Sequence, residues 1–358
     1  MSESKTKLQI KKTMNIPIFI PHYGCPNDCV FCNQRKISGK QQLDDLEDVE
    51  KFILESIESK GNRNDVEIAF FGGSFTGLDK QVQKTYLDIG KKFVDYYQLK
   101  GIRMSTRPDY INREIIDFLK SYPVSAIELG VQSLDEEVLE ATKRNHSVED
   151  VYQAIRLIKE TTIDLGVQMM IGLPKDTIEK ATETALKLIG FRPSTIRIYP
   201  TLVVKGTQLE EDFHNGTYVP LSLEDAVDQV ASILPMFIKA GISVIRVGLQ
   251  ANDGLNSDDL VAGPYHPAFK EVVMDKLIYN EVIDELTTLF GPEDNAYEQY
   301  DISVSSNRKL YGRLIGHKKM NLVKFQKLGI NIGYDKSIKN DSIQITSIKG
   351  GTVFTPCF

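Results

Sequence analysis

Between residues 16 and 250, short β-rich runs alternate regularly with longer amphipathic ones, and this alternation limits the possible folds more than any other feature of the chain. The strand candidates are Ile16–Ile20, Glu67–Phe71, Gly101–Ser105, Ala126–Val131, Leu165–Ile171, Thr195–Pro200 and Ser243–Val247. Leu46–Ser59, Lys80–Tyr97, Arg113–Lys120, Val148–Thr161, Thr177–Leu188 and Leu223–Ala240 read as helices. Ser147 with Asp150 forms a capping-box pattern, and Gly241 stands where a helix-ending glycine belongs. Such β-then-α order predicts parallel strands joined by helical crossovers, in a doubly wound sheet or a barrel. Six of the seven strand candidates end in or run into Gly-rich or polar segments: 22–32, 72–76, 105–109, 130–133, 172–174 and 200–206. Barrel enzymes assemble their active sites at that end of the strands, which favours a barrel with one site there.

After residue 250 the pattern weakens. ANDGLNSDDLVAGPYHP reads as a loop or linker, followed by a helix over Ala268–Leu289, a run at Gln299–Ser305, a basic segment, and strands at Asn331–Tyr334 and Ser342–Ile348. The expected organisation is an N-terminal segment (1–15), a barrel (16–250) and a small α+β appendage (251–358).

Four cysteines are too few for a disulfide scaffold, and three of them fall within eight residues, which points to metal or redox chemistry. Cys357 reads as a free thiol near the C-terminus. Cys25, Cys29 and Cys32 have the form C-x3-C-x2-C, and thiolates at this spacing suit an iron–sulfur cluster or zinc. Three ligands on a four-iron cluster leave one iron open. The alternative is structural zinc on the three cysteines and a histidine such as His22; the absence of a second C-x2-C or an H-x3-H favours the cluster. A net charge of −6 argues against a nucleic-acid binder that uses its whole surface, but leaves room for local patches: Lys5, Lys7, Lys11 and Lys12, and Arg308, Lys309, Arg313, His317, Lys318 and Lys319. At helical period Lys309 and Arg313 share a face that continues to His317. No run is apolar enough for a membrane span or a signal peptide, so a cytoplasmic protein with no membrane partner is expected.

The cysteine loop after the first strand, with Phe31 just before the last cysteine, resembles the signature of the radical S-adenosylmethionine (SAM) superfamily. HYGCPNDCVFCNQRKISG, FFGGSFTGL, STRPDYI, IELGVQS and YPTLVVKGTQL extend the resemblance over residues 16–250, and look most like the radical SAM domain of the Elongator catalytic subunit and its short bacterial relatives. The fold it implies is α/β, a partial (β/α) TIM-like barrel of the radical SAM type. The implied cofactors are a [4Fe–4S] cluster on Cys25, Cys29 and Cys32 and S-adenosyl-L-methionine, whose methionine chelates the open iron. The implied reaction is reductive cleavage of SAM to a 5′-deoxyadenosyl radical that takes hydrogen from a substrate.

By the same resemblance the backbone at Gly72 and Gly73 meets the methionine ammonium, Ser74 standing where the family usually has an acid. Arg144 matches an arginine placed on the SAM carboxylate, and Gly172 with Pro174 lets the backbone pass close to the adenine. Ser105 and Thr106 offer hydroxyls for ribose or carboxylate, and Arg107 is either a site cation or a surface residue. Glu128 and Gln132 share a side of a regular strand, with Gln132 directed at a ligand. A flavodoxin or ferredoxin reductase system is the expected electron donor. The Elongator likeness and the basic segment favour RNA modification, with tRNA as partner; the acidic net charge keeps a small metabolite such as a porphyrin-like substrate as an alternative, and a non-catalytic zinc or cluster protein is a second. The residues after the barrel show no acetyl-CoA-binding pattern, so acetyl chemistry is not assumed to carry over, and a methylthiotransferase would need three further cysteines.

Overall fold

The computed structural model of the protein describes residues 14–20, 29–33, 45–59, 63–249, 259–291, 297, 300–339, 341–348 and 350–356. The chain divides into two compact units, residues 1–226 with 236–267 and residues 227–235 with 268–358. In chain order the elements up to residue 262 are β1 (Met14–Phe19), α1 (Leu46–Glu58), β2 (Val66–Phe71), α2 (Lys80–Tyr97), β3 (Gly101–Thr106), α3 (Arg113–Leu119), β4 (Val124–Gln132), α4 (Glu136–Ala141), α5 (Val148–Lys159), β5 (Asp164–Ile171), α6 (Ile178–Gly190), β6 (Thr195–Pro200), β7 (Val203–Val204), α7 (Gln208–His214), α8 (Leu223–Lys239), β8 (Ser243–Val247) and β9 (Leu260–Ala262).

Strands β1 to β6 and β8 form one sheet, parallel throughout and ordered as in the chain. A sheet wound in a single direction has no switch point at which its crossovers begin to cover the opposite face. That face is covered by curling, and the sheet is a partial (β/α) TIM-like barrel, as the polar strand ends predicted. All seven strand candidates are present, with ends shifted by at most two residues. Short α4 and α7 and the two-residue ladder of β7 with β9 were not foreseen; six or seven residues make fewer than two helical turns and two residues a single alternation, so the repeat in the pattern is weak. The capping box at Ser147 and Asp150 is present.

Alternation along each strand sends one set of side chains toward the helices and the other inward. On β2, Phe70 packs against Phe75 and against Tyr86 of α2, with ring centroids 5.3 and 5.7 Å away. The other set of this strand carries charge. Glu67 accepts from Arg103 Nε (2.7 Å), Arg103 Nη1 donates to Glu128 (3.1 Å), and Arg197 grips Glu128 with two bonds of 2.6 and 2.9 Å. Gln168 donates to Glu128 (3.2 Å), Ser125 donates to Glu67 (2.8 Å), and Lys100 pairs with Glu67 (2.9 Å). Glu67, Arg103, Glu128 and Arg197 are all buried. Burial opposes their ionisation, yet Arg197 and Arg103 hold Glu128 below the usual carboxylate range, and Arg103 does the same for Glu67.

The second unit contains α9 (Phe269–Phe290), β10 (Ser303–Ser306), α10 (Arg308–Ile315), α11 (Met320–Lys327), β11 (Asn331–Tyr334), β12 (Ile343–Ser347) and β13 (Gly350–Phe354). Its sheet runs β11-β10-β12-β13, and Ile278, Val282, Leu286, Val304, Leu314, Phe325 and Ile345 belong to its core. The basic segment departs from the expected helical stripe. Helix α10 stops at Ile315, and Gly316 at φ 75° turns the chain before His317. Lys309 pairs with Asp341 (2.6 Å) and Arg313 with Glu271 (2.9 Å). Lys5, Lys7, Lys11, Lys12 and Cys357 lie outside the described residues. Among the described residues no helix is long and apolar enough to cross a membrane.

Removing the carboxylate of Glu128 leaves the buried Arg197 guanidinium without its anion and Arg103 with Glu67 alone, so Glu128→Gln is expected to lower the unfolding free energy by about 3–5 kcal/mol. Because the folded pKa values of Glu67 and Glu128 are depressed, their stabilisation is complete above about pH 4.5 and is lost as pH falls through the lowered values. Urea denaturation of both proteins across pH 3–7 checks this: wild type weakens steeply on the acid side and the variant less so.

Candidate active site

The cysteine loop is described at residues 29–33, whereas Cys25 and His22 lie outside the described residues. Four attachments hold this part of the loop. Val30 N–H donates to the Thr142 carbonyl (3.1 Å), Leu209 N–H donates to the Val30 carbonyl (2.8 Å), Asn33 donates to the Lys205 carbonyl (2.9 Å), and Val30 with Phe31 packs against Val203, Leu209 and Tyr218. Phe31 thus serves as an anchor for the loop. Cys29 is buried, and its Sγ lies 3.8 Å from Arg107 Nη1 and 3.6 Å from Arg144 Nη1.

Two guanidinium groups beside one sulfur repel each other unless negative charge lies between them. Arg107 is fixed by two bonds to Asp109 (2.9 and 3.1 Å) and by donation to the Arg144 carbonyl. Arg144 donates in turn to the Gly130 carbonyl. Arg107, read from sequence as either a site cation or a surface residue, is buried against Cys29.

Gln132 stands where the pairing of β4 with β5 slips, at φ 68°, so it does not continue the side of the strand that Glu128 occupies. Glu128 is committed to the ion pairs below, while Gln132 Oε1 and Arg144 Nε are buried with no hydrogen-bond partner. His146, buried beside both arginines, makes no well-aligned hydrogen bond through either nitrogen. Burial, with the charges of Arg144 and Arg107, lowers its pKa to about 3, so it is neutral at physiological pH. Sequence reasoning did not single out His146; its nearness to Arg144 in KRNHS was the only available signal. Buried polar groups are rarely left unmatched, since each unmade bond costs about 1–3 kcal/mol. Unmatched groups on Gln132, Arg144 and His146, with two cations at the Cys29 sulfur, fit an anionic thiolate-bound cluster and a polar ligand beside it. Among the described residues no three His, Cys, Asp or Glu side chains gather to hold a metal; Cys25 lies outside them.

Gly72 has φ +100°, and a Cβ there would come within 3.0 Å of the Ile20 carbonyl, so only glycine brings this backbone against the end of β1. Gly73 follows it, and Ser74 is buried. Gln83 from α2 ties the segment down by donating to the carbonyls of Thr76 (3.2 Å) and Leu78 (2.8 Å). Of the two hydroxyls at the end of β3, Thr106 is bonded to Thr76 (2.6 Å) on the helix side. Ser105 shares its strand face with Arg103 and is left as the inward-facing one.

At the end of β5, Gly172 has φ +70°, and a Cβ would sit 2.7 Å from Leu221 Cδ1. Its N–H donates to Asp176 (2.9 Å), and its carbonyl accepts from the Tyr218 hydroxyl (2.6 Å). Burial raises the pKa of Asp176 to about 6, against the two backbone N–H groups it accepts from. The folded carboxyl therefore keeps a proton that the unfolded chain has already released, and stability is lost as pH rises from about 4 to 6. Asp176→Asn is expected to flatten the stability profile across that window while keeping an acceptor for Gly172, as thermal melts from pH 4 to 7 would read.

Residues 19–188 match the Radical SAM superfamily, and residues 193–279 match the Radical_SAM C-terminal domain. The chain is similar to the tRNA uridine(34) acetyltransferase of Methanocaldococcus jannaschii, 28% identical over 213 residues that make up 53% of this chain and 39% of that protein. It is also similar to Elongator complex protein 3 of Schizosaccharomyces pombe, 30% identical over 206 residues, or 51% of this chain and 38% of that protein. The chain thus spans well under two thirds of the length of these curated relatives. Among solved structures, archaeal Methanocaldococcus infernus Elp3 with an N-terminal deletion shares the fold, with a TM-score of 0.60 at 22% identity over 75% of this chain and 63% of that one. With two domain matches in succession between residues 19 and 279, the chain belongs to the radical SAM superfamily and is an enzyme of it, similar in sequence to Elongator protein 3.

Proposed function

We propose that the protein uses a [4Fe–4S] cluster and SAM to modify tRNA. The observation that carries the cofactor reading is Cys29 buried between Arg107 and Arg144, with Gln132 Oε1 and Arg144 Nε unmatched beside it. Cys25, Cys29 and Cys32 would hold the cluster, which supplies the electron that cleaves SAM reductively to methionine and a 5′-deoxyadenosyl radical. Arg107 and Arg144 balance its negative charge, and Arg144 also offers Nε to the SAM carboxylate. Gln132 Oε1 accepts from an ammonium or a ribose hydroxyl. The backbone at Gly72 and Gly73 lies toward the methionine end, Ser105 offers its hydroxyl, and the backbone at Gly172 passes close to the adenine. Phe31 keeps the cysteine loop seated, and a flavodoxin or ferredoxin delivers the electron.

The relatives support the substrate class, one of them being named for uridine 34 of tRNA. Acetyl transfer, part of that name, is not included in the proposal, and the protein is taken to work in the cytoplasm, where tRNA is.

Anaerobic reconstitution should load about four irons per chain, and Cys29→Ala or Cys32→Ala should abolish loading. Arg144→Gln should keep the iron and weaken SAM binding by about tenfold or more, the worth of a hydrogen bond to a charged group. Unmodified tRNA should accelerate 5′-deoxyadenosine formation, measured by chromatography after dithionite reduction. Zinc in place of iron would overturn the cofactor reading. Acceleration by a porphyrin-like metabolite and not by tRNA would overturn the substrate.

A further inference from the structure

The second unit presents a surface beyond both family matches, which end at residue 279. From Arg308 to Lys327 the chain reads RKLYGRLIGHKKMNLVKFQK, with seven lysines and arginines and no carboxylate, in a protein of net charge −6. Strands β10 and β11 pair in parallel, so α10 and α11 together form the crossover between them. The two helices are joined by Gly316, His317, Lys318 and Lys319, and three of these four have left-handed φ values: 75° at Gly316, 49° at Lys318 and 64° at Lys319. Two successive lysines in this region are a backbone outlier of the kind that concentrates at functional surfaces.

The loop is firmly built. His317 N–H donates to Asp275 of α9 (2.9 Å), and Lys319 N–H donates to the Gly316 carbonyl (3.0 Å). Buried Asn321 donates to the carbonyls of Asp275 (2.8 Å) and Arg313 (3.0 Å). A Cβ on Gly316 would stand 2.8 Å from Asn321 Cγ, so the first position of the loop must be glycine. Lys318 and Lys319 are exposed, and no side chain caps α11, whose N-terminus begins at the loop. Helix α11 exposes Met320 and Val323, one turn apart. Halfway along α10, five residues and about 7.5 Å of helix before Gly316, Tyr311 lies with its ring centroid 5.9 Å from that of half-exposed Tyr334.

We propose that this face binds single-stranded RNA, the loop from Gly316 to Lys319 holding backbone phosphates and the Tyr311–Tyr334 pair taking a base. Lysines and the uncapped helix N-terminus suit phosphate oxygens, and an exposed ring suits any base. A βααβ unit whose inter-helix loop begins with glycine is the arrangement with which KH modules clamp a nucleotide backbone. Here the fourth position of the loop is Lys319 in place of the second glycine of those modules, and it keeps the left-handed conformation. The proposal stands on residues outside the barrel site, so either reading can fail alone.

Fluorescence anisotropy with a labelled single-stranded RNA of about ten nucleotides tests it on the full chain, the length being chosen to overfill a site of roughly four nucleotides. Wild type should bind with an affinity that falls with salt. Lys318→Asp with Lys319→Asp should bind at least about tenfold more weakly, with a logarithmic salt slope shallower by about 1.4 for two phosphate contacts. Aspartate accepts left-handed φ better than most residues, so the thermal melt should stay in place and separate lost binding from lost folding. Tyr334→Ala should weaken binding at every salt concentration. No RNA binding by wild type at low salt, equal binding by the double variant, or binding to anionic lipid vesicles but not RNA would each overturn the proposal. If RNA binds through these lysines while tRNA fails to accelerate SAM cleavage, this inference stands and the tRNA substrate reading falls.

Discussion

Glu128 carries the inner face of the barrel. Its carboxylate is held by Arg197 from β6 and Arg103 from β3, and Arg103 also reaches Glu67 on β2. Charges in a low-dielectric interior tolerate no missing partner, so each strand must arrive in the register that delivers its residue. Aliphatic filling would allow small slips between strands; alternating charges do not. Arg103 lies two residues before Ser105, and Glu128 two before Gly130, so the layer also sets the height of the strand ends on which the site is assembled.

Above that layer the chemistry depends on positive charge brought to sulfur. Arg107 leaves β3 and Arg144 follows α4, yet both guanidinium groups meet Cys29 Sγ. Neither arginine relies on the cysteine alone: Arg107 is braced by Asp109, and Arg144 by the Gly130 carbonyl. Cations fixed in this way need no rearrangement when negative charge arrives, which is the economical way to bind an anionic group. His146, neutral beside them, adds no further charge.

The second unit solves a different problem with similar means. Its loop is held by a buried asparagine and an aspartate on the preceding helix, leaving its lysines exposed. A rigid cationic loop and, halfway along the preceding helix, a tyrosine pair would divide phosphate from base recognition in the binding proposed above.

The sequence by itself determined the seven strands, their parallel order and the end of the sheet where chemistry gathers, because hydrophobic period and strand-end polarity are local properties. It marked the cysteine loop and placed Gly72 and Gly172 just after strands, whereas Arg144 comes from beyond the short helix α4, which the sequence did not reveal. Only the tertiary structure decided which polar residues are available there. Thr106 is spent on Thr76, Glu128 on two arginines, and Gln132 is turned by a slipped register, all through partners distant in the chain. Tertiary contacts also split the basic segment, pairing Lys309 with Asp341 and Arg313 with Glu271 while Lys318 and Lys319 stay exposed. A helical period assigns residues to a face, but whether a charge on that face meets solvent or a carboxylate depends on what the rest of the chain packs beside it.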